Sequence, residues 1–219
     1  MGSVIGDLLP LAVGVAISPI PIVAAILMIL SKNAGGAAKG FAAGWVGGIL
    51  AVTVVVTLLA GLLGDSTDKQ PSAAASWIKI VLGVLLIALA AEQWSSRADT
   101  EVPGWMQAID TFTVVKAAGL GAVLSAVNPK NLLLCVSAGV AIGAGGLGAG
   151  GEIVAIVVFT LLGSASVLAV VIGYALAADR LGPTLDSARQ WLQANNHAVM
   201  AIVLLVMGAV VVGKGLGGL

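Results

Sequence analysis

Ser18 and Lys130 are the residues whose types and surroundings could do chemistry. Ser18 stands between prolines in ISPIPI at 17–22, beside Pro19 and Pro21, and Lys130 stands in VNPKNL at 127–132, among Asn128, Pro129 and Asn131. A hydroxyl, two carboxamides and an ammonium form a donor-rich set suited to an anion or to a carbonyl-bearing polar group. A serine with a lysine is also a nucleophile with a base, the pairing an intramembrane hydrolase would need. The prolines on both sides of Ser18 account for its position without catalysis, so the chain is read as a non-enzyme. A metal site would call for His and Cys ligands or clustered carboxylates. The chain holds one His and one Cys, and Asp7, Glu92 and Glu152 lie near segment edges. No cofactor is implied.

The elements that must position these residues are apolar. Of 219 residues 59% are hydrophobic and 9% charged, and mean hydropathy is +1.12. A soluble domain carries roughly 25% charged residues, so most outward faces here meet lipid. Net charge is zero with no basic run, which excludes a nucleic-acid surface. One cysteine excludes an intramolecular disulfide. Six apolar segments are predicted, over 4–30, 41–63, 76–91, 114–142, 153–178 and 198–212. Each is long enough, or nearly so, to cross about 30 Å of hydrocarbon as a helix. Residues 1–7 lack the positive start of a secretory signal, and the first apolar stretch is too long for a signal core, so it reads as a membrane helix. The glycine-rich GAGGLGAGG at 143–151 has no Lys-Ser or Lys-Thr ending and is a connector, not a phosphate loop.

Segments one and four are broken by proline at matching places, since Pro19 and Pro129 are 110 residues apart, half the chain. Asp65 to Trp77 and Asp179 to Trp191 both span twelve residues, with Pro71 and Pro183 inside the intervals. The expected fold is an all-α integral membrane protein. Six transmembrane helices form one domain as two inverted three-helix repeats, 1–95 and 114–219, joined by a cytoplasmic connector at 96–113. Proline leaves carbonyl groups unpaired at mid-depth, which is tolerated only inside protein or along a polar cavity. Paired broken helices in two inverted halves point to a transporter's substrate site. The expected substrate-binding residues are therefore Ser18, Pro19, Pro21, Asn128, Pro129, Lys130 and Asn131. Lys130 carries a charge inside a span, at a cost of at least about 2.5–3.5 kcal/mol on insertion scales. It must meet carbonyls, an anion or a wet cavity.

Positive residues of the connectors set orientation. Lys32, Lys39, Arg97, Lys116, Arg180 and Arg189 fall on one side, and Lys69, Lys79 and Lys214 on the other. This bias puts connectors one, three and five in the cytoplasm and both termini outside. Residues 103–112 and 183–197 are amphipathic, with Trp105 and Trp191, and read as short helices in the headgroup region.

The SPIP stretch at 18–21 and the NPKN stretch at 128–131 resemble the lysine-exporter (LysE) superfamily. The Ala-Gly-Val-rich chain and SAVNPKNLLLCVSAG look most like its GAP or Sap branch, the glycopeptidolipid- and sulfolipid-addressing proteins of actinobacteria. Ser18 and Ile20 depart from the Thr-Pro-Gly-Pro usual in the amino-acid exporters. The resemblance implies export from the cytoplasm across the cell membrane to the envelope. It also implies membrane lipids and a lipid, glycolipid or small amphipathic substrate as partners, with a homodimer or an envelope-lipid export machinery as candidate assemblies. Amino-acid or metal-ion export, an intramembrane enzyme and a non-transporting scaffold remain alternatives.

Overall fold

The structure is a computed structural model describing residues 1–31, 34–63, 73–98, 106 and 108–218. Helices α1 (Gly2–Ala16) and α2 (Pro19–Leu30) form a first bent pair, followed by α3 (Ala34–Leu63) and α4 (Ala73–Ser95). After a 3-10 turn at Ile109–Thr111, α5 (Val114–Ala126) and α6 (Pro129–Gly143) form a second bent pair, followed by α7 (Ala149–Ala194) and α8 (Asn196–Leu216). Among the described residues there is no strand. Four helices are long and apolar enough to cross a membrane, and six spans result if each bent pair is one. Large apolar side chains face outward on every long helix, among them Leu62, Trp77, Val115, Leu176 and Ile202. The chain is a multi-pass membrane protein.

The bends follow from the prolines. α1 and α2 meet at 52°, α5 and α6 at 65°. Pro19 and Pro21 lack the N–H groups that would bond the Val15 and Ile17 carbonyls, and Pro129 lacks the one for Ser125. A residue before proline is pushed out of the helical region. Ser18 accordingly takes φ −114°, ψ 102° and Asn128 takes φ −59°, ψ 122°. Pro19 and Pro129 then begin the next helix at its first position, where no partner for an N–H is lost.

Packing crosses between the two halves of the chain. α3 lies against both parts of the second bent pair, α7 lies against both parts of the first, and α3 and α7 touch each other. α4 packs along α8, where Gly83 meets Val212 and Gly208 meets Ile87. On α3, Gly40, Gly44 and Gly48 recur every four residues and admit the backbone of α5. A Cβ on Gly44 would strike the Ala118 carbonyl, and one on Gly121 the Phe41 carbonyl. Small residues at such spacing are how helices approach closely without a hydrophobic drive from water.

Two expected connector helices can be compared with the structure. The stretch 183–197 was expected as a separate headgroup-level helix. The structure has a helical part up to Ala194 that follows the apolar part of α7, and the two meet at a kink at Ala177 (φ −148°, ψ 46°), where the apolar part ends. Pro183, which has no N–H to give, falls in the first turns of the second part, where a proline costs little. In the third connector, the described residues show the 3-10 turn with Ile109 buried; the remainder of the expected helix at 103–112, including Trp105, lies outside the described residues. Asp65, Pro71, Lys32 and Lys69 also lie outside them.

Candidate functional site

The two proline breaks meet in the interior. Ser18 sits at the N-cap of α2, yet its hydroxyl caps nothing there. It donates instead to Asn131 Oδ1 at 3.0 Å and accepts from Lys130 Nζ at 3.0 Å. Lys130 Nζ also donates to the Ile17 carbonyl at 2.7 Å. That carbonyl is the one Pro21 leaves without a helical donor, so the ammonium fills the vacancy created by the break. Asn131 Nδ2 donates to the Leu124 carbonyl at 2.9 Å, across the second break. Asn128 caps α6 by accepting from the Lys130 N–H at 3.1 Å.

Ser18, Lys130 and Asn131 are 1–2% exposed, so the cluster is closed on all sides. Lys130 is closed off from the outside, and carbonyl and hydroxyl contacts compensate its charge. Among the described residues no carboxylate lies within ion-pair distance of Lys130. An ammonium has three donors, and two have partners.

Of the expected residues, Ser18, Lys130 and Asn131 form the cluster. Pro19, Pro21, Asn128 and Pro129 shape its backbone. The sequence reading missed Ser166, whose hydroxyl on α7 donates to the Ala16 carbonyl at 2.7 Å, beside the first break. It also missed that Ile17 and Leu124 take part through their carbonyls. Ser166 is one of two serines, with Ser164, in the apolar run of α7, and small hydroxyl residues commonly bond within their own helix, as Thr53 does to Ile49.

The Lys130 Nζ–Ser18 Oγ distance of 3.0 Å is also one that a base and a nucleophile would show. The Ser18 hydroxyl donates to Asn131, while Lys130 acts as donor to both of its partners. Pro19 and Pro21 remove backbone N–H groups that follow a nucleophile and commonly serve an oxyanion. Among the described residues no group of three or more His, Cys, Asp and Glu is placed to hold a metal ion.

No curated protein and no solved structure matches the chain. The family model described as Sap, sulfolipid-1-addressing protein, matches residues 8–217, and the chain therefore belongs to the Sap family.

Proposed function

We propose that the protein is a secondary exporter of an acidic lipid or glycolipid, moving it from the cytoplasmic side of the cell membrane toward the envelope between the two broken helices. The observation that carries this reading is Lys130, buried between the breaks, held by the Ile17 carbonyl and Ser18, and without a carboxylate partner among the described residues. Neutral acceptors solvate an ammonium but leave its charge, so an arriving anionic head can displace them and gain more. The family description names a sulfolipid, by its chemistry an amphiphile with an anionic sulfur-oxyanion head. The closed cluster then corresponds to an occluded arrangement of the two breaks.

Six spans in two inverted repeats, 1–95 and 114–219, fit this role. The reciprocal packing of α3 on α5 and α6, and of α7 on α1 and α2, is what a two-fold axis between the halves would produce. Rocking one half against the other would open the cluster to each side in turn.

The test is flux of a labelled acidic lipid in proteoliposomes. Lys130→Met keeps length and removes charge, and should lower flux at least tenfold while insertion and folding persist. Lys130→Arg should restore part of it, because a planar fork does not replace a point charge. Normal flux in Lys130→Met overturns the reading. A wild-type protein that moves nothing alone would instead be a component of a larger lipid-export machinery.

A further inference from the structure

α6 carries a second polar station on the face that holds Lys130. Lys130, Leu134, Ser137 and Ala141 follow at intervals of four, three and four residues, which places them in one row. α1 runs antiparallel beside this row. Ile17 meets Lys130, Gly14 meets Leu134, and Val4 meets Gly145. About 10 Å beyond Lys130, at 1.5 Å per residue, Ser137 and Ala141 line a cleft with Asp7, Leu11, Lys79, Val211 and Lys214. It is a shallow cleft, open to the outside along much of its extent. Its enclosed room is about 10 Å³, that of a single water, so an occupant would meet these side chains from the open side, through the oxygens of a headgroup.

Its charge is uneven. Lys214 Nζ contacts Asp7 Oδ1 at 2.9 Å and the Asp7 carbonyl at 3.1 Å. Lys79, on the opposite wall, has no ion-pair partner among the described residues. One surplus positive charge therefore faces an apolar floor of Leu11, Ala141 and Val211. Between this floor and Lys130 lies an apolar plug. A Cβ on Gly14 would sit 2.8 Å from Met207 Cγ and 3.1 Å from Leu134 Cδ1, so Leu134 and Met207 close the row against α1.

We infer that the Asp7–Lys79–Lys214 cleft is a second binding site for the anionic head of the transported amphiphile, separated from the Lys130 cluster by the Leu134–Met207 plug. It rests on the exporter reading for the identity of its ligand. The occupant is an oxyanion head attached to a lipid. A free oxyanion shares that chemistry but lacks the acyl chains that would lie along the apolar outer faces of α4 and α8.

The experiment counts lipid retained by the purified, detergent-solubilised protein in native mass spectrometry. The probes are phosphatidylglycerol as the acidic lipid and phosphatidylcholine as the zwitterionic one. Wild type should retain phosphatidylglycerol preferentially, and Lys79→Gln should lower that retention about tenfold, the loss of one charge-assisted contact. Lys116→Gln, which removes an exposed charge at the other end of the bundle, should change nothing. Asp7→Asn removes the only negative charge lining the cleft among the described residues and should raise retention, a gain that misfolding cannot imitate. Lys130→Met should keep the Lys79-dependent lipid even where flux is lost, so the two readings fail separately. Equal retention in wild type, Lys79→Gln and Asp7→Asn overturns the cleft site. Displacement of phosphatidylglycerol by millimolar inorganic sulfate makes it a free-anion site and overturns the lipid assignment. Disappearance of the Lys79-dependent lipid in Lys130→Met leaves one site in place of two and also overturns it.

Discussion

At the residue scale, the central fact is that Ser18 serves the opposite half of the chain instead of its own helix. Its hydroxyl accepts from Lys130 and donates to Asn131, residues more than a hundred positions away. Truncating it strands two buried polar groups at once. Ser18→Ala should therefore lower stability by about 1–3 kcal/mol, the penalty for unsatisfied buried groups. Thermal unfolding in detergent, read by intrinsic fluorescence or loss of monodispersity, would measure this. Unchanged stability would mean that the breaks are apart in the state that dominates in solution. The residue types of this cluster were legible in the sequence because a charge and two prolines stand out in apolar helices. The pairing was not legible in full: nothing in the spacing assigns the Ile17 carbonyl to Lys130 or Ser166 to Ala16, since each contact depends on how two distant helices cross.

At the element scale, the six apolar segments correspond to the observed helices and bent pairs, with ends extended by a few residues, as at Ala34 and Ser95. Apolar length and proline position carry that information directly. Which helices touch is carried by glycine, and only the structure separates the glycines that pack from those that face outward. Gly44 lies against the α5 backbone, whereas Gly47, one helical turn on and facing outward, has nothing near its Cβ position. Gly44→Ala should destabilise the protein by about 1–3 kcal/mol, the range for overpacking a fitted contact. Gly47→Ala should be neutral or stabilise it by up to about 1 kcal/mol through helix propensity. A paired unfolding measurement checks both, and an equal response of the two variants would show that α3 and α5 are not in backbone contact. The end of the apolar part of α7 at Ala177 was legible in the sequence, whereas the short distance between that end and the next helical part was not. Charged residues and Pro183 end an apolar pattern but do not by themselves end a helix.

At the scale of the whole molecule, the positive residues and the helix ends tell one story. Lys214 with Asp7 holds the start of α1 to the end of α8, so positions 3 and 217 lie at one end of the bundle. His197 Nδ1 hydrogen-bonds Gln93 Oε1 at 2.9 Å, and Gly40 packs on Val114, which gathers the end of α4 and the starts of α8, α3 and α5 at the other end. Lys39, Arg97, Lys116 and Arg189 belong to that second end or to the connectors beyond it. Positive charge is retained on the cytoplasmic side during insertion, because carrying it across is unfavourable. The end with positions 3 and 217, and with it the cleft of Lys79 and Lys214, should therefore face out of the cytoplasm. Single cysteines introduced as Ser3→Cys and Gly217→Cys, each in a Cys135→Ser background, would report this with a membrane-impermeant thiol reagent on intact cells. Cys135 is buried, so the background change removes a hidden thiol without removing an accessible one. Both positions should label before lysis, whereas Lys116→Cys in the same background should label only afterwards. Labelling of positions 3 and 217 only after lysis would reverse the orientation and turn the cleft into an entry site. Labelling of just one of them in intact cells would contradict the Asp7–Lys214 pairing itself, since that contact requires both ends on the same side.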